Sequence, residues 1–506
     1  MIENIKLATK NSLIYSFGNI SVKFLGLILI PIYTNTEFLS FDDYGVLAIL
    51  EASSQFIIAI LGLALMQAYT RWYWDEKFKE KQKSIFFSII TLLLIYSLIL
   101  FAIFYPYTKH ISILLFDKPD FIYLLRLMFV SAIFQMLAQV PLTLLRLQEK
   151  ATFYSGVNLL KLSVTLIATI YLVVFARKGL EGIMEAQIIG SVFFFLVLLP
   201  FMIKNTVIKF EARILLGMFA YSYPLILGSI SGILLTIFDR FTLNYLAELP
   251  DVGVYSLGFR ISNTIKILII SSVQLAITPM LFKMIGKEGN QRFYSKIMTY
   301  FSFIVIIAVL AMSVFASEIV KVISSDSGYW RASLIVPVIS FALFFGMLKD
   351  TALIGLHIMK KTKVIGIVIL IIALFNLLLN ILLIPRYSIL GASAATLFSQ
   401  IIFFLVIYIF AQKHYYIPYE LLKIAKMTFL ALALYGLSLL SSDLNLVLRL
   451  VIKSTLIFSF PFLLYPLGFY EKIELDRLRG AWRKWRNPAK WKENLKKMND
   501  TGLSKK

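Results

Sequence analysis

Cysteine is absent from the 506 residues, which excludes disulfides, thiolate nucleophiles and thiolate metal sites. Only three histidines occur, His110, His357 and His414, too scattered to suggest a metal cluster. Charge is scarce at 15% of residues, and acids are the scarcer sign, 28 against 50 Lys and Arg. A soluble domain carries about 25% charged residues, so the bulk of this chain is expected to face lipid. No small-residue cleavage site follows "MIENIKLATK", which runs straight into an apolar segment, so no cleavable signal peptide is expected. The net charge of +22 does not read as a nucleic-acid signal. About a dozen basic residues follow Glu471 and most others lie in short loops, leaving no soluble basic domain.

What is present is hydrophobic sequence, 59% of the chain. A bilayer core about 30 Å thick takes about 20 apolar residues per helix. Apolar runs between charged loops give about fourteen spans, at 12–34, 44–70, 84–106, 121–144, 152–176, 182–203, 214–238, 244–275, 295–317, 332–356, 362–385, 388–411, 420–440 and 444–468. Basic loops orient such a chain. With a cytoplasmic N-terminus, the inner loops 71–83, 146–150, 204–213, 283–296, 349–363 and 413–426 and the two tails hold about 35 Lys and Arg, against about nine outside. An even number of spans then puts both termini in the cytoplasm. The tail "RLRGAWRKWRNPAKWKENLKKMND" interleaves Trp482, Trp485 and Trp491 with basic residues. It reads either as a helix lying on the anionic inner leaflet or as a solvated tail.

The chain repeats itself. "FDDYGVLAILEASSQ" matches "LPDVGVYSLGFRISN" at an offset of 208, aligning Asp43, Gly45 and Val46 with Asp251, Gly253 and Val254. "LEGIMEAQIIGSVFFFLVLL" matches "ILGASAATLFSQIIFFLVIY" at 209, aligning Gly182 with Gly391 and Ala186 with Ala395. The expected fold is therefore an all-α polytopic membrane protein: two pseudo-symmetric six-helix bundles, residues 1–205 and 206–412, then two helices in 413–468 and a basic cytoplasmic tail, 469–506. Parallel halves around a central cavity are a transporter architecture.

The six-plus-six-plus-two pattern, the Asp-x-Gly opening of span 2 with "YTRWYWDE" after it, and "NLLLNILLIPRYSILGASAAT" across spans 11 and 12 resemble the polysaccharide transporter family. That family, which includes O-antigen and capsule-unit flippases, belongs to the multidrug/oligosaccharidyl-lipid/polysaccharide superfamily. The resemblance covers roughly residues 8 to 470. It implies a flippase, not an enzyme, moving an undecaprenyl-pyrophosphate-linked oligosaccharide across the bacterial inner (cytoplasmic) membrane by alternating access. Membrane lipids, a polysaccharide polymerase and glycosyltransferases are the implied partners, and a monomer the default state.

A charge at the bilayer centre costs about 3 kcal/mol on some scales, so basic residues within spans are informative. Six occur: Lys23, Arg126, Lys161, Arg260, Lys266 and Lys453. Arg260 shares a helical stripe with Ser256 and Asn263 and suits bidentate binding of a pyrophosphate. Lys23 follows Asn19 by four residues and would face the same cavity. Lys161, Lys266 and Arg126 complete the substrate-binding candidates, with snorkelling as the alternative for each. Lys453 reads as structural. Glu51, near Ser54 and Gln55, would titrate or bind sugar hydroxyls, or else pair with a cavity base. Arg71, Asp75 and Glu76 lie at the cytoplasmic mouth as a gate, unless the neighbouring Trp72, Tyr73 and Trp74 make this an interface anchor.

Asn376 and Asn380 sit one turn apart in an otherwise aliphatic span. In the related lipid II flippases an acid on span 7 and polar residues on spans 11 and 12 form a monovalent-cation site. Resemblance to them assigns Asp239, Asn376, Asn380 and Thr396 to such a site, with the Ala392 carbonyl beside them. No bound cofactor is implied beyond Na+ or H+ as coupling ion. Asn380 stands where those flippases tend to carry a second acid. Interhelical hydrogen bonding by the two amides is the alternative. A cation-coupled multidrug exporter of the same superfamily and a lipid II flippase remain alternative functions. A membrane-bound saccharide polymerase or ligase is disfavoured, since no outer loop is much longer than about 15 residues.

Overall fold

The computed structural model describes residues 27–359, 361–472 and 475–476; among these it is helical, without a strand. Lipid offers no hydrogen-bond partner, so each crossing satisfies its own backbone as a helix. Eleven helices among the described residues are long and apolar enough to cross a membrane. Of the first expected span, 12–34, residues 12–26 lie outside the described residues, as do Lys23 and the tail tryptophans.

The first half comprises α1 (Phe41–Gly62), α2 (Leu65–Tyr73), α3 (Gln82–Phe116), α4 (Ile122–Leu147), α5 (Ala151–Thr169) and α6 (Gly179–Lys204). Span 2 is thus two helices rather than one. Leu63 and Ala64 both adopt left-handed backbone, φ 48° and 51°, and break it. Conversely α3 outruns its expected end, because Pro106 lies inside the helix instead of ending it. Membrane helices tolerate such a proline where neighbours absorb the lost bond.

The second half comprises α7 (Ala212–Leu246), α8 (Leu249–Ile265), α9 (Ser271–Lys283), α10 (Asn290–Val314), α11 (Ala316–Ile323), α12 (Ala332–Ala352) and α13 (Thr362–His414). A π-helical segment, Lys266–Ile270, joins α8 to α9. Span 8 therefore begins later than expected, after the Ala247-Glu248 break and with Pro250 in its first turn, and α7 runs past its expected end. At 53 residues α13 is too long for one crossing. It breaks at Ser388, φ 45° and ψ −123°, where the expected spans 11 and 12 meet.

Residues up to Tyr419 form one compact unit, and Glu420 onward forms a second. In the second unit lie α14 (Leu421–Leu439) and α15 (Leu446–Leu463); the Asn445 side chain caps α15 by accepting from the Leu448 amide at 2.9 Å.

In the first unit, α1 packs on α8 and the repeated motifs meet there. Ser40 and Asp43 cap α1 reciprocally, the Asp43 amide donating to Ser40 Oγ at 3.1 Å and the Ser40 amide to Asp43 Oδ2 at 2.9 Å. Its repeat counterpart Asp251 instead accepts from Arg331 at 3.0 Å and from the Ser388 hydroxyl. At this end of the bundle the halves are sealed together. The Ser325 amide donates to Thr34 Oγ1 at 3.0 Å, and the Tyr329 ring packs tilted against Phe41 and edge-on against Tyr44, centroids 4.8 and 5.6 Å away. Gly182 and Gly391 play the same part in the two copies, since a Cβ on either would press into the backbone of the preceding helix, at Leu172 and Leu383 respectively.

Candidate functional site

Two polar centres stand where these helices converge. The first is an ion pair between the halves. Arg260, on α8, donates from Nη2 to Glu51 Oε2 on α1 at 2.7 Å. The Tyr33 ring lies 5.9 Å from the guanidinium. The side chains are 26% and 33% exposed, so the pair is shielded yet open to a ligand. Breaking such a pair by removing one partner leaves the other charge uncompensated.

The second centre is the Asp239 carboxylate, 1% exposed in α7. It accepts from Tyr255 at 2.5 Å, Thr396 at 2.7 Å and Asn380 at 2.8 Å. Asn380 also donates to Asn376 Oδ1 at 3.2 Å, and Asn376 donates to Ser399 Oγ at 3.3 Å. The four residues assigned to a cation site on resemblance thus form one network, drawn from α7 and both segments of α13. Tyr255 is an addition that the sequence reading missed. Its signal was a departure from the repeat, a tyrosine where the first copy has Leu47.

The donor set suits a hard monovalent ion. It offers one carboxylate, two amide oxygens, the Thr396 hydroxyl and the Ala392 carbonyl, which accepts from Thr396 at 3.1 Å. Asn380 Oδ1 is buried without a hydrogen-bond partner, an oxygen available to such an ion. Among the described residues no group of three or more His, Asp or Glu suits a metal ion. A single carboxylate balances a single charge.

Beside this network lies a cavity of about 90 Å³, lined by Asp239, Thr396, Asn263, Lys266, Asp350 and Gln400 among others. Asn263 and Arg260 therefore part company: Arg260 turns to Glu51, whereas Asn263 and Lys266, three residues apart, face the Asp239 cavity. Asp350 was not anticipated. It accepts from Gln274 at 3.0 Å and pairs with Lys349 at 2.6 Å, bringing a second acid to the same cavity.

Lys161 lies in the first half, lining a cavity of about 370 Å³ together with Glu51, its ammonium 5.0 Å from the Phe194 ring. Arg126, on α4, holds its guanidinium 3.9 Å from the Tyr105 ring of α3. Of the gate residues, Arg71 reaches the second half, 4.6 Å over the Tyr221 ring of α7. Asp75 caps its own segment, accepting from the Lys77 amide at 3.1 Å, and Glu76 pairs with Lys79 at 3.8 Å. Asp75 and Glu76 thus order the local turn.

A family model described as polysaccharide biosynthesis protein matches residues 8–285, more than half of the chain. An uncharacterized membrane protein of Methanocaldococcus jannaschii, MJ1068, is 28% identical over 194 residues, 37% of this chain. The match spans 35% of that relative. Among solved structures, the lipid II flippase MurJ in an inward closed conformation superposes with a TM-score of 0.75 at 18% identity, covering 90% of this chain and 100% of that one. An inward-facing multidrug resistance MATE transporter gives 0.62 at 13%, covering 79% and 97%. The outward-facing form gives 0.61 at 14%, covering 80% and 95%. At these identities the likeness is one of fold.

Proposed function

Because the chain belongs to the polysaccharide biosynthesis protein family, as a flippase-like membrane transporter of the multidrug/oligosaccharidyl-lipid/polysaccharide superfamily and not an enzyme, we propose that it flips undecaprenyl-pyrophosphate-linked oligosaccharide units. Transport runs from the inner to the outer leaflet of the cytoplasmic membrane, for assembly of a surface polysaccharide such as O-antigen or capsule. Both termini lie in the cytoplasm, which makes the Tyr329 seal the outer end. Glycosyltransferases supply the cargo and a polymerase consumes it, and one copy of the chain suffices.

The observation that carries this reading is the Arg260–Glu51 pair. A guanidinium forks onto a diphosphate as it does onto a carboxylate, and the diphosphate brings more charge. Cargo therefore displaces Glu51 from Arg260. That displacement removes an ionic link between the halves at the moment of loading, which frees them to rock while the polyprenyl tail stays in the bilayer. The Asp239 network supplies the coupling, taking up Na+ or H+ on one side and releasing it on the other.

Deletion of the gene tests the proposal. Surface polysaccharide should be lost while undecaprenyl-linked units accumulate in the inner leaflet; normal surface polymer in a strain without a paralogue would refute it. The likeness to MurJ favours one second reading, a lipid II flippase, whose cargo shares the polyprenyl diphosphate. Flipping assays with the two lipids in reconstituted vesicles separate them. Drug export fits less well, because Glu51, the acid at the seam, is already engaged by Arg260.

A further inference from the structure

The larger of the two polar cavities lies within the first half, between α1, α4, α5 and α6, and its lining is unlike that of a membrane interior. Four carboxamides face it, Gln55, Gln135, Asn158 and Gln187, with the hydroxyls of Ser54, Thr165 and Ser191. They come from regular helix faces. Glu51, Ser54 and Gln55 follow helical spacing on α1, as do Asn158, Lys161 and Thr165 on α5, and Gln187 and Ser191 on α6. Polar side chains inside membrane spans are costly unless they are paired or meet a substrate. Here much of the capacity is unpaired. Gln135 donates to Ser131 Oγ at 3.0 Å and Asn158 to the Tyr154 carbonyl at 2.8 Å. Their own carbonyl oxygens have no protein partner among the described residues, and Gln55 and Gln187 make no protein hydrogen bond there.

The internal repeat shows that this lining is particular to the first half. At the offset of 209, Gln187 stands for Thr396 and Ser191 for Gln400; at 208, Gln55 stands for Asn263. Leu172 lies in the π-helical continuation of α5 (Ile170–Phe175), and its contact with Gly182, set beside that of Leu383 with Gly391, aligns α5 with the first segment of α13 at 211, so Thr165 stands for Asn376. The two cavities are therefore counterparts. The second has closed to about 90 Å³ around Asp239, whereas the first remains open at about 370 Å³, within the roughly 300–1,000 Å³ of small-molecule sites. The glycine at position 190 helps to keep it in shape: a Cβ there would collide with the Thr165 hydroxyl.

We propose that this first-half cavity is a carbohydrate subsite, holding the hydroxyl-rich glycan of the cargo while Arg260 at the seam holds its diphosphate. Carboxamides donate and accept in one plane, matching sugar hydroxyls, which also do both. Glu51 lines the cavity and is also the partner of Arg260, so the sugar and diphosphate positions adjoin. The inference rests on the flippase reading and adds to it where the sugar sits and which residues select it.

The test uses the full chain in lipid nanodiscs. Its probes are undecaprenyl pyrophosphate without sugar, and a panel of undecaprenyl-pyrophosphate-linked glycans bearing neutral, N-acetylated or uronic sugars. At least one glycan form should bind about tenfold more tightly than the bare lipid, the worth of one or two hydrogen bonds. The double variant Gln135→Leu/Gln187→Leu should abolish that increment and leave affinity for the bare lipid unchanged. As a check that does not depend on this variant folding, a photo-cross-linking residue at Leu162, also in the lining, should label the glycan. Equal binding of bare and glycan-bearing lipids across the panel, equal losses for both in the variant, or no glycan label overturns the subsite and leaves the flippase reading standing. Failure of the wild type to bind any of these lipids overturns both.

Discussion

Gly45 and Gly253, the same residue of the two repeated motifs, face one another where α1 crosses α8. A Cβ on Gly45 would be driven into the Leu249 carbonyl, and one on Gly253 would stand 3.2 Å from the Gly45 nitrogen. Helices in lipid gain little from burying apolar surface against each other and depend on close backbone approach, which small residues permit. The repeated glycine thus has a packing reason in both copies. Gly45→Ala should destabilise the fold by about 1–3 kcal/mol through overpacking, and Gly253→Ala by less. Thermal unfolding of the purified protein in detergent measures the order of the two midpoints. Equal midpoints for both variants and wild type would show that the seam is looser than described.

The Arg260–Glu51 pair yields a prediction of opposite sign for its two members. Arg260→Ala should weaken diphosphate-lipid binding more than tenfold, the loss of a bidentate charge-assisted contact of about 1.5–3 kcal/mol. Glu51→Gln should tighten it, because the carboxylate that competes for the guanidinium is gone. Lipid binding by both variants checks this. Weaker binding in Glu51→Gln would mean that Glu51 itself holds the cargo.

For the Asp239 network the informative change is Asn380→Asp. It places a second carboxylate beside the first, 2.8 Å separating the present partners. Two carboxylates that close repel unless a cation lies between them. Na+ should then stabilise the variant by a larger shift in unfolding midpoint than it gives the wild type, while Asp239→Asn should show no shift from Na+. A Na+ response that survives Asp239→Asn would remove the carboxylate from the ion site.

The membrane class, the approximate spans and the repeat could be read from sequence because hydropathy and self-similarity are local properties. The Asp239 network was legible for a different reason. Asn376 and Asn380 stand out in aliphatic sequence, and the family resemblance supplied their partners. What escaped depends on side chains from distant helices. Glu51 meets Arg260 across the seam, and pairing with some cavity base was only one of its readings. The carboxamides of the first-half cavity are scattered over four helices, and only Gln55 was remarked in its own span. Lys161 shares a helix face with Asn158 and Thr165, but that face looks ordinary until α1, α4 and α6 bring their own amides. The break at Leu63-Ala64 carries neither glycine nor proline at the turning residues and was missed, whereas the one at Ser388 falls just after Pro385, where the expected spans 11 and 12 meet.

Ser388 sets two effects of similar size against each other. Its backbone, φ 45° and ψ −123°, lies where only glycine is at ease, a strain of about 1–3 kcal/mol. Its hydroxyl donates to Asp251, and a hydrogen bond to a charged group contributes about 1.5–3 kcal/mol. Ser388→Gly removes both the strain and the bond and should come out near neutral. Ser388→Ala keeps the strain and loses the bond, so it should be less stable than Ser388→Gly by about 1–3 kcal/mol. Asp251 keeps Arg331 at 3.0 Å in either variant, which limits the loss to the one bond. Unfolding midpoints of the two variants decide it: if alanine proves as stable as glycine, the bend between the two segments of α13 is not strained and the hydrogen bond alone holds Ser388 in place.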